Sequence, residues 1–483
     1  MSEVLDNSVK PAPSITDTSA IEIQRIFDLQ KEHQLHVGNS TAIERSAKLK
    51  ALHLAILKYR PAIKEAMYLD YKKHPSEVDL TEVYPITSEI KYARHHIRAW
   101  MRSQKVATPF ALLGSSSYVK SEAKGVVLII SPWNFPFNLT FGPLVGAIAA
   151  GNTVMIKPSE VTPHSSALMK KIIAEVFKEN EIAVIEGGLE TSTSLLHLPF
   201  NHIFFTGAPE IGKVVMSAAA KNLTSVTLEL GGKSPTIIDS TANVKMAARR
   251  IAWAKFMNNG QICIAPDYVY VHKDKEESFF KEVQNYLTKF YADDAAKADS
   301  YSRIVNERHF KRLKGYLDDA ISKGGQVKIG GQFDETQNFI APTIITNVSE
   351  ESSLMVNEIF GPILPVFTFT DLDKVIQKIN EREKPLSLYI YSKSRKNINQ
   401  ILNNTRAGGT CINHSVVHFF NHNLPFGGSN NSGIGKAHGY FSFQEFSNPR
   451  GVLKQHIPNA IEILMMPYTK TKQKIIDLTI KWF

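Results

Sequence analysis

The two cysteines of the chain, Cys263 and Cys411, differ in their sequence surroundings. Cys263 lies in NNGQICIAPDY, a polar loop that leads into a predicted strand, where a substrate could reach a thiolate nucleophile. Cys411 lies in GGTCIN, on a predicted buried strand, which is the usual setting of a structural cysteine. We therefore expect Cys263 to carry covalent chemistry and Cys411 to pack in the core.

Glu229 and Asn134 are candidates to assist such a nucleophile. Glu229 ends the apolar stretch VTLEL, so a strand would carry its carboxylate to the edge of a sheet, partly desolvated and with the raised pKa of a general base. Asn134 follows Trp133 in SPWNFP, and its amide could donate to an oxyanion. The alternatives are a solvated or salt-bridged glutamate and an asparagine that satisfies a turn. Neither pattern is specific by itself.

Three histidines, His414, His418 and His422, recur at i, i+4 and i+8. On a helix this spacing would align three metal ligands, but the segment follows a strand and has β-branched and aromatic spacers. It also has no companion carboxylate cluster. We therefore predict no metal site.

Strands and helices alternate from Gly125 onward. The strand candidates are 126–130, 153–157, 183–187, 202–207 and 226–230, joined by segments long enough to cross over. This alternation predicts an α/β fold with a parallel, doubly wound sheet, in which ligands bind beyond the carboxyl ends of the strands. Ahead of it, residues 20–103 have helical periodicity, and Pro61 marks the expected start of a second helix.

The strand ends contain candidate dinucleotide contacts. Gly207 and Gly212 lie in TGAPEIG, before a predicted helix, although this is not the usual G-x-G-x-x-G fingerprint. Lys157 and Glu160 end the second strand, where the common dinucleotide fold places an acidic residue that binds the ribose.

Composition excludes several classes of protein. The 483 residues are 43% hydrophobic and carry a net charge of +10, but the basic residues are scattered and no nucleic-acid motif is present, so we expect no nucleic-acid partner. No apolar run is long enough to span a bilayer, and the polar start of the chain does not resemble a secretory signal. Two cysteines suit a reducing compartment, and we predict a cytoplasmic protein.

Seven motifs together resemble the aldehyde dehydrogenase superfamily: SPWNFP, GNTVMIKPSE, FFTGAPEIGK, LELGGKSP, GQICIAPDY, EIFGPILP and LPFGGSNNSGIG, in family order. The resemblance covers about residues 20–455. CIAPDY at the cysteine, the short N-terminal extension and GYFSFQEFS are similar to the class 3 branch, which includes fatty and aromatic aldehyde dehydrogenases.

The resemblance implies a fold in three parts, with a Rossmann-like dinucleotide domain, an α/β catalytic domain and a small β oligomerisation arm. We assign these boundaries: a disordered tail at 1–19, the dinucleotide domain at 20–103 and 121–229, the catalytic domain at 230–417, the arm at 104–120 and 418–460, and a C-terminal amphipathic helix at 461–483.

It also implies roles for single residues. Cys263 matches the family's nucleophile, Glu229 its general base and Asn134 its oxyanion donor. The implied cofactor contacts are Trp133, Lys157, Glu160, Gly207, Gly212, Glu358 and Phe360, of which Glu358 and Phe360 face the nicotinamide side. Ile262, beside the cysteine, stands where a small or polar residue is common, and Pro209 stiffens the phosphate turn.

The implied activity is oxidation of aldehydes, medium or long aliphatic or aromatic, to carboxylic acids by NAD, with NADP also possible. The implied route is a cysteine thiohemiacetal and thioester, in a homodimer. One alternative is a CoA-acylating enzyme of the same fold, against which Glu229 argues, because CoA would replace the water that it activates. Another is a non-catalytic protein that kept the fold.

The C-terminal stretch 468–483 combines four lysines with one acid and an apolar helical face. Such a helix could pack on the partner subunit or cap a substrate funnel. It could also contact anionic lipid, which would make the enzyme a peripheral membrane protein.

Overall fold

The computed structural model describes Pro13 and residues 15–482, in which helices and strands alternate along most of the chain. The helices are α1 Ala20–Gly38, α2 Ala42–Tyr71, α3 Pro75–Val78, α4 Tyr84–Trp100, α5 Asn138–Ala150, α6 Pro163–Val176, α7 Leu189–Leu196, α8 Pro209–Ala220, α9 Val244–Phe256, α10 Glu276–Tyr291, α11 Glu307–Ser322, α12 Ser353–Val356, α13 Leu372–Asn380, α14 Arg395–Asn404, α15 Gly439–Glu445, α16 Ala460–Ile463 and α17 Lys470–Trp482. The strands are β1 Gln104–Val106, β2 Ser115–Ala123, β3 Val126–Ile130, β4 Thr153–Lys157, β5 Ile182–Val184, β6 His202–Thr206, β7 Ser225–Glu229, β8 Pro235–Ile238, β9 Tyr268–His272, β10 Gln326–Ile329, β11 Phe333–Asp334, β12 Phe339–Ile340, β13 Thr343–Thr346, β14 Ile363–Phe369, β15 Ser387–Tyr391, β16 Gly409–Ile412, β17 Gly433–Ile434 and β18 Ser447–Gln455.

A six-stranded sheet in the order β17-β7-β6-β3-β4-β5 holds the five strands predicted from the sequence. Neighbours are parallel except β17, which pairs antiparallel with β7. Both faces are covered: Val127 and Ile129 of β3 pack in one apolar cluster, and Val126 and Leu128 pack in another. The predicted doubly wound α/β sheet is therefore confirmed, because alternate residues of one strand are buried on opposite sides.

A seven-stranded sheet in the order β10-β13-β14-β9-β8-β15-β16 follows, parallel except for the antiparallel pair β10 and β13. Its two faces also belong to different clusters, with Val269 and Val271 of β9 on one side and Tyr268 and Tyr270 on the other. Cys411 lies in β16 and is buried, as predicted.

A third sheet has three antiparallel strands, β1-β2-β18. β2 and β18 pair along nine positions, from Ser115↔Gln455 to Ala123↔Ser447. Residues 104–120 and 447–455 of the predicted arm lie in or beside this sheet. Residues 418–446 contribute no strand to this sheet: β17 joins the six-stranded sheet, and α15 packs on α5 and also contacts β18. The division into domains remains a prediction.

Two local predictions are corrected. Pro61 does not begin a helix but lies inside the 30-residue α2, where buried residues on both sides of it, Ile56 and Ile63, hold the helix in the same core cluster. The described end of the predicted disordered tail is ordered. Asp17 accepts a hydrogen bond from the Gly188 N–H at 2.7 Å, and Ser19 caps α1. Residues 1–12 and Ser14 of that tail lie outside the described part of the chain.

The C-terminal segment forms α16 and α17, and α17 has no buried residue in its described part. Its apolar side chains project into solvent, with Leu478 60%, Ile480 76% and Trp482 69% exposed. Among the described residues we found no helix with the length and apolar character needed to cross a membrane.

Candidate active site

Cys263 and Glu229 lie between two cavities and line both of them. β7 ends at Glu229 and carries it to the carboxyl edge of the six-stranded sheet, where it pairs with Thr206 of β6. Cys263 follows the turn Met257–Gly260, in the loop that links α9 to β9 of the seven-stranded sheet. Thus one predicted catalytic residue ends a strand of the first sheet, the other lies in a loop before a strand of the second, and the two meet at the same place.

The Glu229 carboxylate is buried, and neither of its oxygens has a hydrogen-bond partner in the described part of the chain. Burial raises its pKa well above the usual 4.5, partly offset by the positive charge of Lys436 and reinforced by Glu445. An unpartnered buried carboxylate is costly. A raised pKa makes the carboxylate a stronger proton acceptor, which is the property that a general base needs.

Cys263 is a half-buried thiol with an elevated pKa. Exclusion of water, together with the nearby carboxylates of Glu358 and Glu229, raises the pKa of Cys263 to about 12. The side chain is therefore a thiol at neutral pH, and its proton has to pass to a base before it can attack a carbonyl.

Asn134 is held by a buried hydrogen-bond network. Its Nδ2 donates to the Gln261 carbonyl at 3.0 Å, and its own carbonyl accepts from the Tyr71 hydroxyl at 2.7 Å and from Asn258 Nδ2 at 3.0 Å. The N–H of Asn258 in turn donates to Glu77 at 2.9 Å. An amide nitrogen carries two hydrogens, so Asn134 keeps one for a ligand. Sequence reasoning missed Tyr71 and Asn258, which lie far from Asn134 in the chain.

One of the two cavities is a polar cleft that contains most of the predicted cofactor contacts. Trp133, Gly207, Glu358 and Phe360 line it together with Asn134. The Trp133 ring packs edge-on to Phe360 at 5.4 Å and lies 4.9 Å from the His309 ring. His309 carried no signal in the sequence.

The segment 357–360 is held from several sides. Lys233 donates to the carbonyls of Leu354 and Asn357 at 2.7 and 2.9 Å, and the Ile359 N–H donates to Asp267 at 2.9 Å. Phe360 has φ +48°, a strained value for a residue with a side chain, and such strain often marks functional sites.

Glu358 lies directly against Gly231. Any Cβ on that glycine would lie 2.1 Å from Glu358 Oε2, so only glycine leaves room for the carboxylate. Burial, together with the charge of Asp267, raises the pKa of Glu358 to about 8.

Three predicted contacts lie apart from this cleft. Lys157 ends β4 and forms an ion pair of 2.7 Å with Glu160, whose side chain is 47% exposed, and neither residue lines either cavity. Gly212 serves packing: a Cβ there would lie 2.7 Å from the Leu230 side chain, so the glycine lets α8 approach Leu230 closely.

The other cavity is lined mainly by apolar side chains: Tyr84, Pro85, Leu139, Pro143, Phe204, Leu230, Leu386, Phe419, Phe420, Phe426 and Ala437. Glu89, His422 and His438 contribute to the polar part of its wall, together with Ser88, Asn138, Thr206, Glu229 and Ser442. Within the segment that holds His414, His418 and His422, only Val417–Phe420 is helical, so the three histidines do not share one helical face. Sequence reasoning did not bring together Glu89, which lies on α4, and His422 and His438, which lie in loops after β16.

The chemistry of the polar cleft fits a dinucleotide. An aromatic ring, glycine-rich turns at strand ends and a carboxylate line a cleft at the carboxyl edge of a doubly wound sheet, which is where such ligands bind. The unpartnered Glu229 oxygens face the junction between this cleft and the apolar cavity.

Comparison with known proteins agrees with this geometry. The sequence profile of the Aldehyde dehydrogenase family matches residues 8–452. The 4,4'-diaponeurosporen-aldehyde dehydrogenase of Staphylococcus aureus is 43% identical over 437 residues, which cover 90% of this chain and 94% of that protein. The aldehyde dehydrogenase family 3 member B1 of Rattus norvegicus is 40% identical over 450 residues, covering 92% and 95%.

Solved structures show the same fold. The substrate-bound state of Staphylococcus aureus AldH has a TM-score of 0.90 at 40% identity and covers 95% of this chain and 99% of that chain. The NAD-dependent aldehyde dehydrogenase of Sinorhizobium meliloti has a TM-score of 0.85 at 26% identity, covering 92% and 89%. The predicted likeness to class 3 is confirmed by the family 3 relatives. The chain therefore belongs to the aldehyde dehydrogenase family and oxidises aldehydes to carboxylic acids with NAD or NADP.

Proposed function

We propose that Cys263 is the nucleophile of this oxidation, Glu229 its general base and Asn134 its oxyanion donor. The observation that carries this proposal is the unpartnered, buried Glu229 carboxylate on the same two cavity walls as the Cys263 thiol. A structural glutamate would have its oxygens satisfied.

In the proposed reaction, Cys263 Sγ passes its proton to solvent water and bonds to the aldehyde carbon, forming a thiohemiacetal whose oxygen carries the negative charge. The free Asn134 N–H and the Cys263 backbone N–H donate to the oxyanion, and loss of one such donor typically costs about 2.7–4 kcal/mol. When bound, the dinucleotide supplies the hydride acceptor. Loss of hydride from the former aldehyde carbon leaves a thioester on Cys263.

Glu229 then takes a proton from water, and the hydroxide attacks the thioester carbon. The C–S bond breaks, the carboxylic acid leaves and Cys263 Sγ is regenerated. The raised pKa of Glu229 supports this role, because a base of ordinary carboxylate strength would accept the proton less readily.

We assign the nicotinamide side of the cofactor to Trp133, Glu358 and Phe360 and its pyrophosphate to the turn that begins at Gly207. Gly212 supports that turn through helix packing. Lys157 and Glu160 would bind the adenosine ribose outside the cleft, and the Glu160 carboxylate favours the 2′-hydroxyl of NAD over the 2′-phosphate of NADP. A ratio of kcat/KM that favours NADP would contradict this preference.

The apolar cavity supports medium or long aliphatic or aromatic aldehydes as substrates, since its wall is dominated by phenylalanines and aliphatic residues. One relative is named for 4,4'-diaponeurosporen-aldehyde. Rates across a series of aliphatic chain lengths and aromatic aldehydes test this class. A preference for short, charged aldehydes would contradict it.

We further propose a cytoplasmic homodimer in which the sheet β1-β2-β18 bridges subunits. Its exposed strands support this proposal, because a thin sheet without its own core gains stability by packing on a partner. Light scattering is expected to give about twice the monomer mass of 54.0 kDa.

Replacement Cys263→Ala tests the proposed nucleophile. We expect dehydrogenase activity to be lost while dinucleotide binding, followed by fluorescence, persists, because the thiol is needed only for the covalent step. Cys411→Ala serves as the matched control and should retain activity. Turnover of Cys263→Ala above a few per cent of wild type would contradict the proposal. Equal rates with and without CoA exclude the CoA-acylating alternative.

A further inference from the structure

Glu89, His422 and His438 form a compact cluster on the wall of the apolar cavity. Glu89 lies on α4, His422 in the loop after the turn Val417–Phe420, and His438 directly before α15. One ligand atom of each residue lies within 4.8 Å of the others. Glu89 is thus brought next to two histidines that lie more than 300 positions away from it in the chain.

Hydrogen bonds account for one oxygen of Glu89 and one nitrogen of His422. Glu89 Oε1 accepts from the Gly439 N–H at 2.7 Å, and its Oε2 lies 2.7 Å from His422 Nδ1. The other nitrogen of His422, Nε2, lies 2.8 Å from the Ser88 hydroxyl. His438 Nδ1 is buried and has no hydrogen-bond partner among the described residues. If the cluster only joined α4 to the loop through hydrogen bonds, this buried nitrogen would be expected to have a partner as well.

The donor types suit a transition-metal ion, because carboxylate oxygens and imidazole nitrogens are ligands that Zn²⁺ binds. When the ring proton of His422 is on Nε2, beside the Ser88 hydroxyl, its Nδ1 lone pair is available to an ion.

We propose that Glu89, His422 and His438 bind a divalent transition-metal ion, of which Zn²⁺ is the probe of choice, through one carboxylate oxygen and two imidazole nitrogens. Such ligands bind Zn²⁺ at about 2.0–2.2 Å, which in a tetrahedral site separates them by roughly 3.4 Å. The three atoms now lie within 4.8 Å of one another, and His422 Nδ1 and Glu89 Oε2, at 2.7 Å, would have to move apart to reach that spacing. Because the three residues line the apolar cavity, a water molecule from the cavity could take the fourth position.

This location predicts the effect of the ion. The cluster lines the apolar cavity but not the polar cleft, so an ion with its bound water narrows the space for aldehyde and leaves the dinucleotide site unchanged. That the cavity takes the aldehyde rests on the proposed function, whereas binding of the ion does not. Zn²⁺ is therefore expected to raise the KM for bulky aldehydes and to leave the KM for NAD unchanged.

Co²⁺ titration followed by visible absorption tests the site directly. The parent protein is Cys263→Ser, because a thiolate at the nucleophile would itself bind metal and produce a sulfur-to-metal charge-transfer band. We expect one Co²⁺ per chain, displaced by Zn²⁺. Glu89→Gln, His422→Gln and His438→Gln in this parent should each weaken Co²⁺ binding at least tenfold. His197→Gln, which removes an exposed histidine elsewhere, should not change it.

Equal Co²⁺ affinity in the cluster variants and their parent would overturn the proposal, as would binding that is detected only when Cys263 is present. Because the variants could fold poorly, a second measurement uses the unmodified protein. Anomalous diffraction at the zinc absorption edge from Zn²⁺-soaked crystals should give a peak between the three side chains. A peak at Cys263 or on the surface alone would refute the site. If the dehydrogenase assays contradicted the proposed function, the Co²⁺ titration and the anomalous diffraction would still test the metal site.

Discussion

At the scale of single residues, Glu229 separates two stages of the proposed reaction. Glu229→Gln keeps the size of the side chain but removes the base. We expect a burst of about one NADH per active site followed by loss of steady-state turnover, because hydride transfer precedes the step that needs activated water. Rapid-mixing absorbance measures both phases. If burst and steady state fall together, Glu229 acts earlier, on the Cys263 proton.

The elevated pKa of Cys263 gives a prediction for its reactivity. An ordinary thiol has a pKa of about 8.5, so its alkylation rate levels off above that pH. In the enzyme without cofactor, we expect alkylation of Cys263 by iodoacetamide to keep rising through the alkaline range, because its pKa is about 12. The measurement uses the variant Cys411→Ser, in which Cys263 is the one remaining thiol that iodoacetamide can alkylate. A plateau of the rate near pH 8 would show that the thiol is activated without a ligand.

At the scale of secondary-structure elements, the turn after β7 contacts the segment 357–360 through Gly231 and Glu358. Gly231→Ala places a Cβ 2.1 Å from Glu358 Oε2, so the carboxylate has to move. We expect kcat/KM for NAD to fall about tenfold, equivalent to about 1.4 kcal/mol. Gly315→Ala is the control: it lies on α11 with no atom within 4 Å of a new Cβ, and alanine favours a helix. Equal kinetics in both variants would contradict the assigned role of Glu358.

Several elements could be predicted because their signals are local. The apolar run 126–130 gave β3 with its observed bounds, and VTLEL placed Glu229 at a strand end. Other features depend on contacts that no spacing reveals. Core packing on both sides of Pro61 keeps α2 continuous, and β17 pairs with β7 of the six-stranded sheet whereas β18 pairs with β2.

The residues of the candidate site divide in the same way, into those with a local sequence motif and those defined only by long-range contacts. Motifs named Cys263, Glu229 and Asn134, which lie in the core of the site. Tyr71 and His438 escaped notice because each acts through partners that are distant in sequence. The prediction of no metal site considered only histidines within one segment, and the cluster that we propose includes Glu89 from α4.

At the scale of the whole molecule, α17 is an exposed amphipathic helix, and we propose that it contacts anionic lipid. Its apolar side chains and four lysines in 468–483 support contact with anionic lipid. We expect truncation after Met466 to abolish binding to anionic vesicles at low salt while oxidation of short soluble aldehydes continues. Co-sedimentation measures the binding, and Ile480→Glu in the full chain is a milder second variant.

Two results would contradict this role of α17. Full-length protein that fails to co-sediment at low salt excludes lipid contact. Altered kinetics of the truncated protein toward long-chain aldehydes, in the absence of vesicles, would instead indicate that the helix caps the aldehyde cavity or packs on the partner subunit.

The position of Cys263 on a wall common to two separate cavities has a consequence for inhibition. A compound that fills the apolar cavity and an analogue that fills the polar cleft approach the sulfur from different sides and do not compete for volume. Both can therefore occupy the enzyme at once in a dead-end ternary complex. In a double-inhibition experiment, plots of reciprocal rate against one compound, at fixed levels of the other, should intersect rather than run parallel.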